Sequence, residues 1–219
     1  MKKITFYYVR HGLTLFNVIG RIQGWSDSPL MPEGIKDAEY ARDVLKDIPF
    51  AHAYSSTSER CTDTAKIVLE GRDVPLTTTK QLKEMSFGRY EGMRTANHRE
   101  DINRRRMVTL DWSDAGGENY PMLIERILGV FQEIYDESQD GDNILVISHG
   151  AVFLNMIDFM FHLNRDVYVR EPISQGLHPV PNGLVARFNR EGDEYHLEEL
   201  YGRTDGVLEE LYQLKENNQ

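Results

Sequence analysis

Two short apolar runs, each ending in a histidine and a glycine, constrain the fold of this chain more than any other feature. Ile4–Val9 is rich in β-branched and aromatic residues and stops at Arg10–Gly12. Asn143–Ser148 has the same character and stops at His149–Gly150. A run that stays apolar without alternation is typical of a strand buried on both faces, as in parallel sheets. The sequence therefore predicts a largely parallel sheet covered by helices.

Segments with helical periodicity and segments with strand character alternate along the rest of the chain. The predicted helices are Pro32–Ile48, a helix running from the Ser56–Glu59 capping-box pattern to Gly71, Leu123–Tyr135, and Ala151–Phe161. The further predicted strands are Ala51–Ser55, Pro75–Thr79, Leu184–Phe188 and Tyr195–Leu200. This order predicts an α/β three-layer sandwich with a central, mostly parallel sheet, in one domain over residues 1–219.

The stretch from Glu91 to Gly117 interrupts this alternation, because its charged and aromatic residues show no clean period. We expect a small lid inserted at about residues 91–118, which we call the lid segment. Within it, the charge run Arg104–Arg106 fits a solvated helix face better than a contact with a second anionic group of a substrate.

The charge balance and the cysteine content limit the partners and the compartment. There are 25 Lys and Arg against 35 Asp and Glu, a formal net charge of −10. Nucleic acid is therefore not an expected partner, and a small anion would need positive charge concentrated locally. Cys61 is the single cysteine, no secretory signal pattern is seen, and the apolar run Ala151–Phe161 is shorter than the roughly 20 residues of a membrane span. We expect a cytoplasmic protein with no membrane partner.

Ionisable residues follow the ends of the predicted strands, where parallel α/β sheets bind their ligands. These residues are Arg10 and His11, then Arg60, Glu84 and His149. Each alone is a weak signal, but together they supply two permanent cations, two imidazoles and a carboxyl group. Arginine matches phosphate oxygens, a neutral imidazole can attack phosphorus, and a carboxyl group can protonate the departing oxygen. The set suits phosphoryl transfer.

Four ordered motifs carry a family resemblance. They are Arg10-His11-Gly12-x-Thr14-x-x-Asn17, Ser58-Glu59-Arg60-Cys61-x-x-Thr64-Ala65, Lys83-Glu84-Met85-Ser86-Phe87-Gly88-x-x-Glu91-Gly92 and Ser148-His149-Gly150, supported by Gly24-x-x-Asp27-x-Pro29-Leu30 and Gly116-Gly117-Glu118. Over residues 5–152 the chain resembles the histidine phosphatase superfamily, in its phosphoglycerate-mutase-like branch. An Arg-His-Gly triplet alone would be weak, whereas four motifs in the right strand contexts are specific.

The resemblance implies a phosphatase-like catalytic domain with a covalent mechanism, no cofactor and no metal. His11 would take the phosphoryl group, and water would then hydrolyse the phosphohistidine. The phosphoryl oxygens would be bound by Arg10, Arg60 and His149, with a neutral hydrogen bond from Asn17, and Glu84 would act as general acid and then base. The cations near His11 favour its neutral, nucleophilic form, whereas His149 is expected to be protonated where phosphate can hold its charge.

Further residues are candidates with a simpler alternative. Gly150 would let backbone approach a ligand closely, and Trp25 and Trp112 are candidates for an apolar leaving-group pocket, against the alternative of simple packing. Cys61 is expected to be a small buried hydrophobe, since Ile67 stands where a thiolate phosphatase needs an arginine. The remaining histidines show no zinc-type spacing and are expected to be surface or structural residues: His52, His98, His162, His178 and His196.

Three functions remain open on these grounds. Phe87 and Ala151 stand where the mutases of the family carry Tyr and Asn, and the stretch from Glu84 to His149 is shorter than theirs. A shorter lid favours access of water to the phosphohistidine. Metal-independent hydrolysis of a small phosphorylated metabolite, a phosphomonoester, is therefore favoured over phosphoglycerate mutase chemistry. A non-catalytic phosphate-binding module ranks last, because it would need neither Glu84 nor a nucleophile. No feature indicates an oligomeric state.

Overall fold

A mixed sheet forms the middle layer of the molecule. The computed structural model describes residues 2–170 and 179–202. Within them the strands are β1 (Lys3–Arg10), β2 (Phe50–Ser56), β3 (Leu76–Thr79), β4 (Asn143–Ser148), β5 (Val185–Glu191) and β6 (Glu194–Tyr201). Across the sheet the order is β3-β2-β4-β1-β5-β6. The first four of these are parallel, whereas β5 is antiparallel to both β1 and β6.

The described residues also form six α-helices. They are α1 (Leu15–Val18), α2 (Pro32–Leu45), α3 (Glu59–Val68), α4 (Arg99–Arg104), α5 (Tyr120–Glu137) and α6 (Gly150–Phe159). Short 3-10 turns occur at Lys80–Leu82, Gly88–Tyr90, Thr95–His98 and Ser113–Ala115, and π turns at Arg105–Thr109 and Asp166–Arg170. Alternate side chains of β1 enter two separate cores: Phe6 and Tyr8 pack with α5 and α6, and Tyr7 and Val9 pack with α2 and α3. This alternation produces the three layers.

The predicted fold class is confirmed, as a six-stranded α/β arrangement within the described residues. Helix α2 ends at Leu45 rather than at Ile48. The predicted capping box at Ser56–Glu59 is wrong, because Ser58 is the residue that precedes α3 and its side chain makes no capping hydrogen bond. Ser56 is instead the last residue of β2, and its hydroxyl faces His149. In the part of the chain that is described, no helix has the length and apolar character needed to cross a bilayer.

The parallel register aligns the carboxyl ends of the inner strands. Arg10 at the end of β1 is paired with Ser148 at the end of β4. On the other side of β4, Ser55 is paired with Ile147, and Ser56 is in turn paired with Thr79 at the end of β3. Since the chain leaves all four strands at one edge, the residues that follow them are brought together there.

The lid segment contains α4 and short turns, and the position of Arg105 within it contradicts the predicted solvated face. Arg105 is 7% exposed and forms ion pairs with Asp101 and Asp114, with Nη1 at 2.6 Å from the Asp114 carboxylate. Its guanidinium also lies 5.4 Å from the centre of the Trp112 ring. The solvated face predicted for Arg104–Arg106 is therefore wrong for Arg105, because acidic partners on both sides of it in the sequence allow its burial. Arg104 is exposed, as predicted, whereas Arg106 is half-buried.

The loop that follows β1 lies in close contact with α2 at two glycines, Gly12 and Gly34. A Cβ atom at Gly12 would lie 2.1 Å from the carbonyl oxygen of Gly34, and one at Gly34 would lie 2.1 Å from that of Leu13. Real Cβ atoms do not approach backbone so closely. The two glycines therefore allow the segment carrying His11 to lie directly on α2.

Replacing Gly34 with alanine is expected to destabilise the protein by about 1–3 kcal/mol, because the new methyl group overlaps the main chain of Leu13. The matched control is Gly129→Ala in α5, where nothing lies within 4 Å of the new Cβ. That change should stabilise by about 0.5–1 kcal/mol through helix propensity. Urea unfolding of both variants measures the difference, and equal midpoints would contradict the close approach.

Candidate active site

His11 is held at the end of β1 with a defined tautomer. The ring is 3% exposed, and its Nδ1 lies 2.8 Å from the carbonyl oxygen of Gly12. A carbonyl oxygen only accepts, so Nδ1 carries the proton and donates it. The lone pair of the neutral ring is then on Nε2. His11 is thus arranged as a nitrogen nucleophile.

The charge state of His11 follows from its surroundings. Burial lowers the pKa of His11 well below its usual value, and the nearby guanidinium groups of Arg60 and Arg10 lower it further. The two causes act in the same direction, since both disfavour a second positive charge in the site. The neutral His11 predicted from the sequence is the form that this structure favours.

Arg60 lies in the first turn of α3 and is 1% exposed. Its Nη1 donates to the Asp27 carboxylate at 2.8 Å and to the carbonyl oxygen of Ser26 at 3.0 Å. Its Nη2 donates to the carbonyl oxygen of Gly24 at 2.8 Å and to Nδ1 of His149 at 2.9 Å. These acceptors compensate the desolvation of a buried cation and hold the guanidinium in one orientation.

Arg10 is the second buried cation. Its Nη1 donates to the carbonyl oxygen of Val180, and burial lowers the pKa of Arg10 to about 10, so it remains charged at neutral pH. Within the described residues, the Nε atoms of Arg10 and Arg60 are buried without a hydrogen-bond partner. A Cβ at Gly150 would lie 2.9 Å from Arg10 Nε, so the glycine leaves room for this side chain. Unpaired donors on two buried cations suit an anionic ligand.

His149 lies between the end of β4 and the start of α6 and is neutral in this arrangement. Because Arg60 can only donate, Nδ1 of His149 accepts, and Nε2 carries the proton and donates to the Ser56 hydroxyl at 2.8 Å. Burial lowers the pKa of His149 well below its usual value, and Arg60 lowers it further. The protonated His149 expected from the sequence is therefore not the form favoured without a bound anion. Its ring centre lies 5.3 Å from that of His11.

Glu84 contacts the amino-terminal end of α6. Its carboxyl oxygens accept from the main-chain N–H groups of Ala151 at 2.9 Å, Val152 at 3.0 Å and Met85 at 3.0 Å. Burial nevertheless raises the pKa of Glu84 above its usual value, against the opposing effect of these hydrogen bonds and of Arg60 and Arg10. A raised pKa favours the protonated form of this carboxyl group, which is the form that can donate a proton.

The remaining predicted substrate contacts are Asn17, Trp25 and Trp112, and their surroundings differ. Asn17 Oδ1 accepts from the N–H and hydroxyl groups of Thr14, which leaves the amide N–H groups of Asn17 as its donors. Trp25 is 44% exposed and donates from its indole nitrogen to the carbonyl oxygen of Glu84 at 3.0 Å. Trp112, by contrast, is fully buried and packs edge-on against Phe87. We therefore leave Trp112 out of the candidate site, because its surroundings favour the packing alternative.

Sequence reasoning missed three residues of the site and placed a fourth, Arg106, on a solvated face. Ser56 binds His149, and Asn182 donates to the main-chain oxygen of His11 at 3.1 Å. Gln23 accepts from the hydroxyl of Thr14 at 3.2 Å, and its buried Nε2 has no partner among the described residues. Arg106 lies 5.7 Å from the centre of the Phe87 ring, and burial lowers its pKa while the Glu84 carboxylate opposes that shift. Of these, only Arg106 carried a signal, its charge run.

Cys61 is buried, and the other histidines within the described residues have the surface or structural positions expected from the sequence. Cys61 is fully buried, 3.5 Å from His149 Nε2, and burial raises the pKa of its thiol to about 12, which keeps it protonated and unreactive. His98, His162 and His196 are exposed, and the half-buried His52 binds Thr77. His178 lies outside the described residues.

The fold and the site together define an α/β protein with a buried, positively charged centre that suits a phosphoryl group. An imidazole that can act as a nucleophile and a carboxyl group that can act as an acid lie in the same centre. Comparison with known proteins agrees. A sequence profile of the histidine phosphatase superfamily (branch 1) matches residues 6–176. The chain belongs to the histidine phosphatase superfamily.

The relatives carry two kinds of name. The chain is 31% identical to 2,3-bisphosphoglycerate-dependent phosphoglycerate mutase 2 of Gloeobacter violaceus over 166 residues, 72% of this chain and 76% of the relative. It is 35% identical to the adenosylcobalamin/alpha-ribazole phosphatase of Salmonella typhimurium over 158 residues, 69% of this chain and 76% of the relative. A solved phosphoglycerate mutase structure from Bacillus anthracis is 26% identical, with a TM-score of 0.77, and the match covers 98% of this chain and 97% of that one. Phosphatase and mutase are thus both consistent with the family.

The tautomers of the two site histidines can be tested directly. At pH 6, about half a unit below the usual histidine pKa, both rings are expected to be neutral, with the proton on Nδ1 in His11 and on Nε2 in His149. Nitrogen NMR of labelled histidine distinguishes these forms, assigned with His11→Asn and His149→Asn variants, and the exposed His98 and His162 are references in the same spectra. An imidazolium signal from either site ring at pH 6 would refute this description of the ligand-free site.

Proposed function

We propose that this protein is a metal-independent phosphatase that hydrolyses small phosphomonoesters through a phosphohistidine at His11. The observation that carries the proposal is the neutral His11, whose Nδ1 proton is bound by the Gly12 carbonyl so that Nε2 presents its lone pair. Arg10 and Arg60 supply the positive charge for the phosphoryl oxygens. Arginine contacts to a transferring phosphoryl group can contribute on the order of 10³–10⁵ in rate.

The first step transfers the phosphoryl group from the ester to His11. The bond between Nε2 and phosphorus forms as the bond between phosphorus and the ester oxygen breaks. The proton of Glu84 passes to the departing oxygen, which leaves as an alcohol, and Glu84 becomes a carboxylate. The Nδ1 proton of His11 stays on the ring and remains bound to Gly12.

The second step returns the enzyme to its starting state. The Glu84 carboxylate takes a proton from water while the water oxygen attacks phosphorus. The bond between phosphorus and Nε2 breaks, inorganic phosphate leaves, and His11 is again neutral. Glu84 suits both steps, since its raised pKa favours the protonated form before the first step and proton uptake in the second.

The leaving group would lie on the side of Glu84 and Trp25. Trp25 supports this, because its partly exposed indole is bound to the main chain of Glu84. The substrate proposed here is a small phosphorylated metabolite whose leaving group extends toward that ring. Phosphoglycerate mutase activity through the same histidine is the alternative, and the mutase names among the relatives favour it.

Replacing His11 with alanine should reduce kcat/KM for p-nitrophenyl phosphate by about 10⁴-fold or more, because the variant has no nucleophile. The assay is run with a chelator present. His196→Ala, which removes an exposed imidazole on β6, is the matched control and should retain full activity. Turnover that survives in His11→Ala would refute the covalent mechanism.

The choice between phosphatase and mutase is tested by comparing substrates. We expect hydrolysis of p-nitrophenyl phosphate and no efficient interconversion of the glycerate phosphates, with or without a bisphosphate primer. The physical reason is that a mutase must shield its phosphohistidine from water, whereas a short lid admits water. Efficient primed mutase activity would establish the alternative.

Glu84→Gln should slow esters with poor leaving groups far more than esters with good ones. For an alkyl phosphate the loss in kcat/KM is expected to be about 10³-fold, and for p-nitrophenyl phosphate about 10-fold, because only the alkoxide requires a proton to depart. The parameter kcat/KM reports the first phosphoryl transfer and excludes the later hydrolysis. Equal losses for both esters would remove the general-acid role.

A further inference from the structure

The carboxylate of Glu91 is surrounded by donors from a short loop, Gly24 to Ser26, which we call the 24–26 loop. It accepts from the main-chain N–H groups of Gly24 and Trp25, both at 2.9 Å, and of Ser26 at 3.1 Å. It also accepts from the Ser26 hydroxyl at 2.6 Å and the N–H group of Phe87 at 3.0 Å. All five donors are neutral, and hydrogen bonds to an ionised acceptor are stronger than those between neutral groups.

The opposite side of the 24–26 loop faces Arg60. The carbonyl oxygens of Gly24 and Ser26 accept from its guanidinium at 2.8 and 3.0 Å. These two residues therefore bind Glu91 with their N–H groups and Arg60 with their carbonyl groups. The rigid peptide plane that joins Gly24 to Trp25 carries both the carbonyl that accepts from Arg60 and the N–H that donates to Glu91. The carboxylate of Glu91 therefore constrains the direction of this acceptor.

The loop also lies directly on the segment that carries Glu84. A Cβ at Gly24 would be 2.3 Å from the main-chain oxygen of Met85. The indole of Trp25 donates to the main-chain oxygen of Glu84. Glu91 is thus hydrogen-bonded to the 24–26 loop and, through Phe87, to the segment that carries Glu84. It contacts neither the guanidinium of Arg60 nor the carboxyl group of Glu84.

We propose that Glu91 is a positioning residue for phosphoryl transfer, which acts through the 24–26 loop to orient the guanidinium of Arg60. It touches no reacting atom, and its influence on the phosphoryl group passes through Arg60. This inference rests on the proposed function, because it assumes that Arg60 binds the phosphoryl oxygens.

The test begins with Glu91→Gln, in which one acceptor oxygen becomes an NH₂ donor facing main-chain N–H groups. We expect kcat/KM for p-nitrophenyl phosphate to fall by about 10- to 100-fold, as misplacement of a binding group does. The inhibition constant of inorganic phosphate should rise in parallel, since a displaced Arg60 binds phosphate less well. The matched control is Glu137→Gln, which removes a carboxylate bound to the Tyr54 hydroxyl at the end of α5 and should leave both constants unchanged.

A double-mutant cycle with Arg60→Met separates positioning from general structural support. Methionine keeps most of the buried volume but removes every guanidinium donor. If Glu91 acts through Arg60, adding Glu91→Gln to Arg60→Met should lower kcat/KM by less than about 3-fold, a strong departure from additivity. Additive losses, or a Glu91→Gln enzyme with unchanged kcat/KM and unchanged phosphate inhibition, would overturn the proposal.

A milder variant covers the case in which Glu91→Gln does not fold. Ser26→Ala removes one hydrogen bond to the carboxylate and should lower kcat/KM by about 3-fold, an effect that disappears in the Arg60→Met background. An equal loss in both backgrounds would overturn the proposal. Failure of the proposed function is recognised separately, because an active His11→Ala enzyme would contradict the phosphohistidine whatever the result for Glu91.

Discussion

Burial of the Arg60 guanidinium is the interaction on which the arrangement of this site depends. The side chain is 1% exposed, and four hydrogen bonds from Nη1 and Nη2 offset the cost of removing this cation from water. The acceptors come from two other parts of the chain: residues 24–27, which supply two main-chain carbonyls and the Asp27 carboxylate, and His149 at the end of β4. The first turn of α3, the loop after α1 and the end of β4 are therefore tied to one charge. A chain with a net charge of −10 can in this way present a positive centre.

Burial of His11 and of Glu84 shifts their pKa values in opposite directions. It lowers the pKa of His11, with Arg60 and Arg10 acting in the same sense, so the nucleophile is unprotonated. It raises the pKa of Glu84, although main-chain N–H groups and the arginines oppose this shift. A base whose neutral form is favoured and an acid with a raised pKa, in one enclosed site, are the pair that phosphoryl transfer to nitrogen requires. Desolvation alone accounts for the direction of both pKa shifts, because it destabilises the charged form of each group.

The residues at the ends of strands were predictable from the sequence, and the residues that support them were not. His11 and His149 follow apolar runs of strand length and precede glycines, so a local pattern located both of them. Ser56 contacts the imidazole of His149, and Asn182 contacts the main-chain oxygen of His11, from positions 93 and 171 residues away along the chain, and no local pattern reports such a contact. Ser56 in fact carried a misleading signal, since its spacing to Glu59 imitates a capping box. Arg105 was misjudged for a related reason, because the burial of an arginine depends on acidic partners that its own charge run does not reveal.

The residues that were predictable from the sequence lie on the side of the site proposed to bind the phosphoryl group. The residues that were not predictable lie mainly on the side proposed to bind the leaving group. The phosphoryl side is built from the ends of β1, β2 and β4 and from α3, where register and burial leave little freedom. The proposed leaving-group side lies around Trp25, Phe87 and Arg106, which belong to a loop and to segments without regular periodicity. Relatives named as mutases and relatives named as phosphatases match this chain over similar lengths, 166 and 158 residues. Similarity over the phosphate-binding framework therefore cannot distinguish the two activities. The distinction must come from the side chains that control water access and hold the leaving group, near Ala151, whose N–H donates to Glu84, and Phe87, whose N–H donates to Glu91.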